Sequence, residues 1–186
     1  MGRVSQAQAR DNRRRVVETA SRLFREQGTH VSVADLMKAS GLTHGGFYKQ
    51  FASKEALVDE ATAHAFAELA RHHKDGLDQY AGQRDAAQRA LIDAYLSTEH
   101  RDSAADGCPA AALAGDMARD GADGEARRVY TQGVGDFADW LATEDQDGIT
   151  RLCTMLGALI LSRATKGSPL SEKILTTARE ALTATN

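Results

Sequence analysis

Near the N-terminus, Val16, Val17, Ala20, Leu23 and Phe24 recur at spacings that put them on one face of a helix, expected from about Asp11 to Gln27. Gly28 ends it, since glycine adopts the left-handed C′ conformation at little cost. Ser32 then caps a short helix in a capping-box arrangement with Asp35, and Val33, Leu36 and Met37 form its inward face. Ala39-Ser40-Gly41-Leu42 is a tight break, after which Thr43 caps another short helix through Gln50. On that helix Phe47 and Phe51 lie one turn apart and point inward, leaving Thr43, His44, Tyr48 and Lys49 to face out. Ser53 caps a fourth helix, whose apolar face runs through Leu57, Ala61, Ala65 and Leu69 until His72-His73-Lys74-Asp75-Gly76 breaks the pattern.

Further on, Asp85 and Gln88 read as a capping box opening a helix that carries Ala90, Leu91, Ala94 and Tyr95. Arg101 to Gly107 reads as loop. Pro109 then takes the first position of a helix that ends near Gly121. Helices are expected from about Gly124 to Ala142, from about Asp147 to Lys166, and after Ser168-Pro169. Two prolines and no period-two clustering of β-branched residues leave no room for a sheet. The expectation is an all-α chain of roughly nine helices in two parts. Residues 1–54 form a three-helix head and residues 55–186 a larger helical body.

Charge sharpens that division. The formal total of −3 hides a head with ten Lys+Arg against four Asp+Glu, and a body with thirteen against twenty-two. A basic head at +6 on a body at −9 suggests that the head meets a polyanion. Hydrophobic content of 42% with 26% charged residues is ordinary globular balance. The longest apolar run, Leu152 to Leu161, contains Thr154 and is too short to span a bilayer. Residues 1–15 carry five arginines and no apolar stretch of the secretory kind. Cys108 and Cys153 cannot make a disulfide framework, which points to a reducing cytoplasm. No C-x-x-C or H-E-x-x-H spacing offers a zinc site, and no cofactor motif is present.

Two short helices joined by a glycine-containing turn and braced by a longer helix are the outline of a helix-turn-helix DNA reader. The run from Val16 to Val58, with S-V-A-D-L-M-K-A-S-G-L-T-H-G-G-F-Y-K-Q-F-A-S-K-E-A-L-V at its heart, resembles the DNA-binding domain of the TetR family of transcriptional regulators. Its most specific part is F-Y-x-x-F-x-S-K-E-x-L. The resemblance implies that Thr43–Gln50 is the recognition helix. Thr43, Tyr48 and Lys54 match the usual phosphate contacts, with Ser32 ahead of them. His44, Gly45 and Lys49 would lie nearest the base edges. Gly46 stands where the family commonly has a small hydroxyl residue, which removes one base contact. Arg10, Arg13, Arg14 and Arg15 are candidates for a phosphate or minor-groove arm, or for a solvated charge run.

For the acidic body the same resemblance implies pairing of two chains, a small-molecule effector and a palindromic operator. The pairing stripe would comprise Leu152, Leu156, Leu159 and Ile160 on one helix and Ile174, Ala178 and Leu182 on the last. The alternative is that the same residues are intramolecular core. Candidate effector contacts are His64, Phe66, Tyr95, Met117, Tyr130, Phe137 and Trp140, each of which also suits plain core. Cys108, next to Pro109 at a helix start, could be a thiolate that senses oxidants, or an inert buried residue; Cys153 reads as core. Glu60, His64 and Glu68 share a helical face that could hold a metal, but that spacing is ordinary on a solvated surface. No local signature links a nucleophile to a base, which disfavours an enzyme, and a helical adaptor leaves the basic head unexplained. The resemblance implies a repressor released by a small molecule, with a thiol-sensing repressor acting through Cys108 as the alternative.

Overall fold

In a computed structural model, residues 6–119, 124–144 and 146–184 are described, and among them there is no strand. The elements are α1 (Gln6–Gln27), α2 (Val33–Ala39), a 3₁₀ helix (His44–Lys49), α3 (Lys54–Gln79), α4 (Arg84–Tyr95), α5 (Thr98–Asp102), α6 (Pro109–Arg119), α7 (Glu125–Leu141), α8 (Gly148–Ala164) and α9 (Pro169–Thr183). The end expected for the Pro109 helix near Gly121 lies outside the described residues.

Two apolar clusters form. In the head, Val16, Ala20 and Phe24 of α1 meet Leu36, Met37, Phe47 and Phe51, and α3 adds Leu57 and Ala61. Leu113, Met117 and Ala126, from α6 and α7, join the same cluster and seat the head on the body. The body's cluster is built around Ile92, Tyr95, Phe137, Leu141, Leu152, Met155 and Leu159. The longest helix, α3, packs against α1 at one end and α7 along its length.

Polar contacts fasten the same seam. Arg22 pairs with Asp106. The Thr29 amide donates to Asp116 Oδ2 at 2.9 Å and the Ala126 amide to Asp59 Oδ1 at 2.8 Å. Between α3 and α7 the backbones come close: a Cβ on Gly133 would stand 2.1 Å from the Phe66 ring, so only glycine fits there.

Four local expectations change. The break expected at 72–76 does not occur; α3 runs on to Gln79, and the chain turns at Ala81 and Gly82, both at positive φ. The physical reason is His73, 8% exposed, whose ring lies 4.6 Å from both Phe137 and Trp140. Partners on α7 hold the helix through Gly76, whose propensity cost is only about 1 kcal/mol. No Asp85–Gln88 box forms: α4 is preceded by Gln83 without a side-chain cap, and Gln88 Nε2 donates to the carbonyls of Trp140 (2.6 Å) and Ala142 (3.3 Å). The start of the expected loop 101–107 belongs to α5, which Ser97 caps through the His100 amide at 3.1 Å. Between Thr43 and Gln50 the helix is 3₁₀ rather than α, and Thr43 makes no side-chain cap bond. Adjacent Gly45 and Gly46 weaken the α conformation there.

His73 also makes stability pH-dependent. Burial first, and the charge of His72 second, lower its pKa to about 4. The unfolded chain binds the proton near 6.5, so this contribution is complete above that pH and is lost as pH falls towards 4. The loss amounts to about 3 kcal/mol. His100 is shifted in the same direction, mainly by burial, and adds to the slope. His73→Phe should therefore flatten, without abolishing, the fall in urea midpoint between pH 6.5 and 4; a profile parallel to the parent's would refute this.

Candidate DNA-binding head and ligand cavity

The head presents its polar residues because its aromatic ones are used inside. Phe47 and Phe51 are buried and stacked at 5.4 Å. One step along the same turn, Tyr48 is 69% exposed and rests edge-on against Phe47 at 5.1 Å. Thr43, His44, Gly45 and Lys49 are exposed beside it, and Lys54 is half-buried at the start of α3. Ser32, also exposed, accepts from the Asp35 amide at 3.1 Å and donates to Asp35 Oδ2 at 2.6 Å. Gly41, at φ 69°, makes the sharp turn between the two short helices, closed by the Leu42 amide on the Met37 carbonyl at 2.8 Å.

The arginines ahead of the head divide by role. Arg13 turns inward: it binds the Gln50 carbonyl and Glu60, and its guanidinium lies 4.4 Å above the Phe51 ring. It clamps α1 to the end of the 3₁₀ helix and is no free arm. Arg14 pairs with Asp11 and Glu18 on its own helix, and Arg15 donates to Asn12. Arg10 is exposed. Because Glu60 is engaged by Arg13 and Glu68 by Arg25, the acidic face weighed as a metal site is occupied by arginines.

A cavity of about 590 Å³ opens between α1, α3, α4 and the segment leading into α6. Ala65, Leu69, Leu91, Tyr95 and Pro109 give it apolar walls. Of the residues singled out for ligand contact, Tyr95 and Cys108 line it. Phe66, Phe137 and Trp140 line a smaller cavity of about 300 Å³ between α3 and α7. His64 pairs with Glu68 at 3.5 Å. Tyr130 donates its hydroxyl to the Ala110 carbonyl at 2.7 Å, and Met117 is buried in the head's cluster. These last three line neither cavity.

Of the two readings of Cys108, burial favours the inert one. The thiol is buried and its pKa is raised, because desolvation outweighs the stabilising hydrogen bonds from Tyr95 and the α6 amides. Beside it His100 is fixed as one neutral tautomer. The Cys108 amide donates to Nε2 at 3.2 Å, so Nδ1 carries the proton and donates to the Tyr95 carbonyl at 2.7 Å.

Sequence reasoning missed Arg25 altogether. It sits on α1 of the head, yet its side chain is 6% exposed and lines the body's cavity. Nη2 donates to Glu68 Oε2 at 3.0 Å, Nη1 to the Gly107 carbonyl at 3.3 Å and Nε to the Ser21 carbonyl at 3.2 Å. Helical periodicity alone gives no sign of this, since the partners lie on α3 and in the segment before α6.

On the last two helices the expected pairing stripe divides, and Leu152, Leu159 and Leu182 fall out of it. Leu152, Leu159 and Leu182 are buried in the chain's own core, and Leu156, Ile174 and Ala178 pack partly against it. What remains exposed is a neighbouring set: Ile160 from the expected stripe, with Ile149, Leu161 and Leu170. Cys153, expected in the core, is exposed on α8 as well.

These features define a helix-turn-helix head on an all-helical body. Residues 16–61 match the model of the family described as bacterial regulatory proteins, tetR family. The HTH-type transcriptional repressor KstR2 of Mycobacterium tuberculosis is 30% identical over 101 residues, 54% of this chain and 50% of that protein. The chain thus spans about half the length of the curated relatives it matches. Among solved structures, the reduced form of E. coli NemR superposes with a TM-score of 0.76 at 19% identity, over 93% of this chain and 95% of that one. A TetR transcriptional regulator from Chloroflexus aurantiacus gives 0.73 at 21% identity, over 95% and 94%. At such identities the likeness establishes the fold. No helix among the described residues is long and apolar enough to cross a membrane.

Proposed function

We propose that the chain is a homodimeric, operator-binding repressor of transcription in the cytoplasm, released from DNA by a small molecule held in the 590 Å³ cavity. Residues 1–54 act as the reader and 55–186 as the effector-binding and pairing unit. Thr43, Tyr48 and Lys54 hold phosphates, with Ser32 beside them, while His44, Gly45 and Lys49 face the base edges. A second copy, paired through the exposed apolar face of α8 and α9, supplies the other half-site of a palindromic operator. The body performs no catalysis in this reading; its one buried thiol is held protonated.

The observation that carries the proposal is that the cavity has a wall in each part: Arg25 from the head, and α3, α4 and α6 from the body. An effector that fits better when the head has moved shifts the population towards that state, with a coupling typically of order 1–3 kcal/mol. The reader is tested by fluorescence anisotropy on duplex DNA at rising salt. If each of two heads neutralises about two phosphates, log affinity should fall against log salt with a slope of about −3.6. A slope near zero would contradict it.

A further inference from the structure

The charges around the large cavity are unbalanced. Its lining carries three carboxylates, Glu68, Glu99 and Asp106, against the guanidinium of Arg25 and the imidazole of His72. His100 adds no charge, because its neutral tautomer is fixed by the Tyr95 carbonyl and the Cys108 amide. Asp106 is satisfied by Arg22 on the outside. Glu99 forms no ion pair among the described residues and is exposed. The apolar walls favour a hydrophobic occupant, and the surplus of carboxylates disfavours an anionic one.

The wall also holds a buried hydroxyl whose hydrogen-bond partner is the Cys108 thiol. Tyr95 is 5% exposed, and its hydroxyl has no oxygen or nitrogen partner. Glu68 is the pivotal carboxylate: one third exposed, it is the group that Arg25 of the head holds across the seam at 3.0 Å. Glu68 also lines the cavity, so a cation entering there meets the same carboxylate, whose other oxygen lies 3.5 Å from His64 Nε2. Two cations competing for one partly buried carboxylate weaken each other.

We propose that the cavity takes a hydrophobic organic cation whose charge pairs with Glu68 in place of Arg25, so that occupancy loosens α1 of the DNA-binding head. The release step rests on the functional reading above; the ligand class rests on the cavity alone. Freed from Glu68, Arg25 keeps only the Gly107 and Ser21 carbonyls, and the head loses one of its ties to α3.

The test uses a pair of probes of nearly equal shape and opposite charge, tetraphenylphosphonium and tetraphenylborate, titrated calorimetrically into the full chain. The cation should bind at least ten-fold more tightly than the anion. Glu68→Gln should weaken the cation ten-fold or more. Arg25→Met, by removing the competitor, should tighten it several-fold, an outcome that general loosening of the fold would not produce. Should Arg25→Met fail to fold, Ala94→Trp, at an exposed position of the lining, should block cation binding by filling the mouth. Equal or tighter binding of tetraphenylborate, or indifference of the cation to Glu68→Gln, overturns the ligand class. Cation binding that leaves the affinity for selected operator DNA unchanged overturns the release step. Failure of the chain to bind any DNA would sink the functional reading, while the calorimetry would still judge the ligand.

Discussion

Tyr48→Ala combined with Lys54→Ala is expected to weaken duplex binding by roughly 1,000-fold or more at low salt, if each of the four lost phosphate contacts, two per head, contributes about 1–1.5 kcal/mol. The loss should be similar for all sequences, because hydroxyl and ammonium contacts to phosphate carry no base information. Folding should be preserved. Tyr48 is the most exposed of the large apolar side chains and leans on Phe47 without filling the core, while Phe47 and Phe51 stay buried. With one lysine removed from each of two heads, the salt slope should become shallower by about two. His44 and Lys49 replacements should instead alter which sequence is preferred. Undiminished affinity of the double variant in a low-salt gel-shift would remove the phosphate assignment.

A second large effect is expected from Ile160→Arg with Leu161→Arg. Both residues are exposed, at 43% and 56%, on the face of α8 left open by the chain's own packing. Two arginines there meet their own copies across a two-fold axis, and burying unpaired charge costs several kcal/mol. The variant should sediment as a folded monomer with an unchanged circular dichroism spectrum. Operator affinity should fall more than 100-fold, since the second half-site no longer contributes. Leu159→Ala is the contrasting change: Leu159 is fully buried, so it should cost 2–5 kcal/mol of chain stability and leave pairing in place. A variant pair that stays dimeric at micromolar concentration would move the interface elsewhere.

Local chemistry made much of the fold legible. Pro109 opens α6, Asp147 accepts from the Thr150 amide to cap α8, and Ser168 with Pro169 starts α9, each where the residue types place it. The inward pair Phe47 and Phe51 and the outward Tyr48 follow from helical spacing, even though the turn that carries them is 3₁₀.

What escaped depends on residues far apart in the chain. His72 and His73 look like a polar break until Phe137 and Trp140 are brought against His73. Arg13 and Arg25 look like surface charges, yet apart from Ser21 beside Arg25 the partners cited above lie 37 to 82 positions away. Cys153 and Leu159 sit on one helix, and no periodicity says which of the two faces the chain's own core. The candidate DNA-contacting residues fall within one short stretch, 32–54, whereas the cavity is assembled from four separate segments and was not legible.

The central claim is that two copies of a basic head read DNA together. Its most direct test is selection of duplexes from a random pool by the full-length chain, followed by the stoichiometry of the complex on the winning sequence by native mass spectrometry. The account predicts an inverted repeat occupied by an even number of chains, two per repeat. Enrichment of a single asymmetric site bound by one chain, or no enrichment at all, would contradict it.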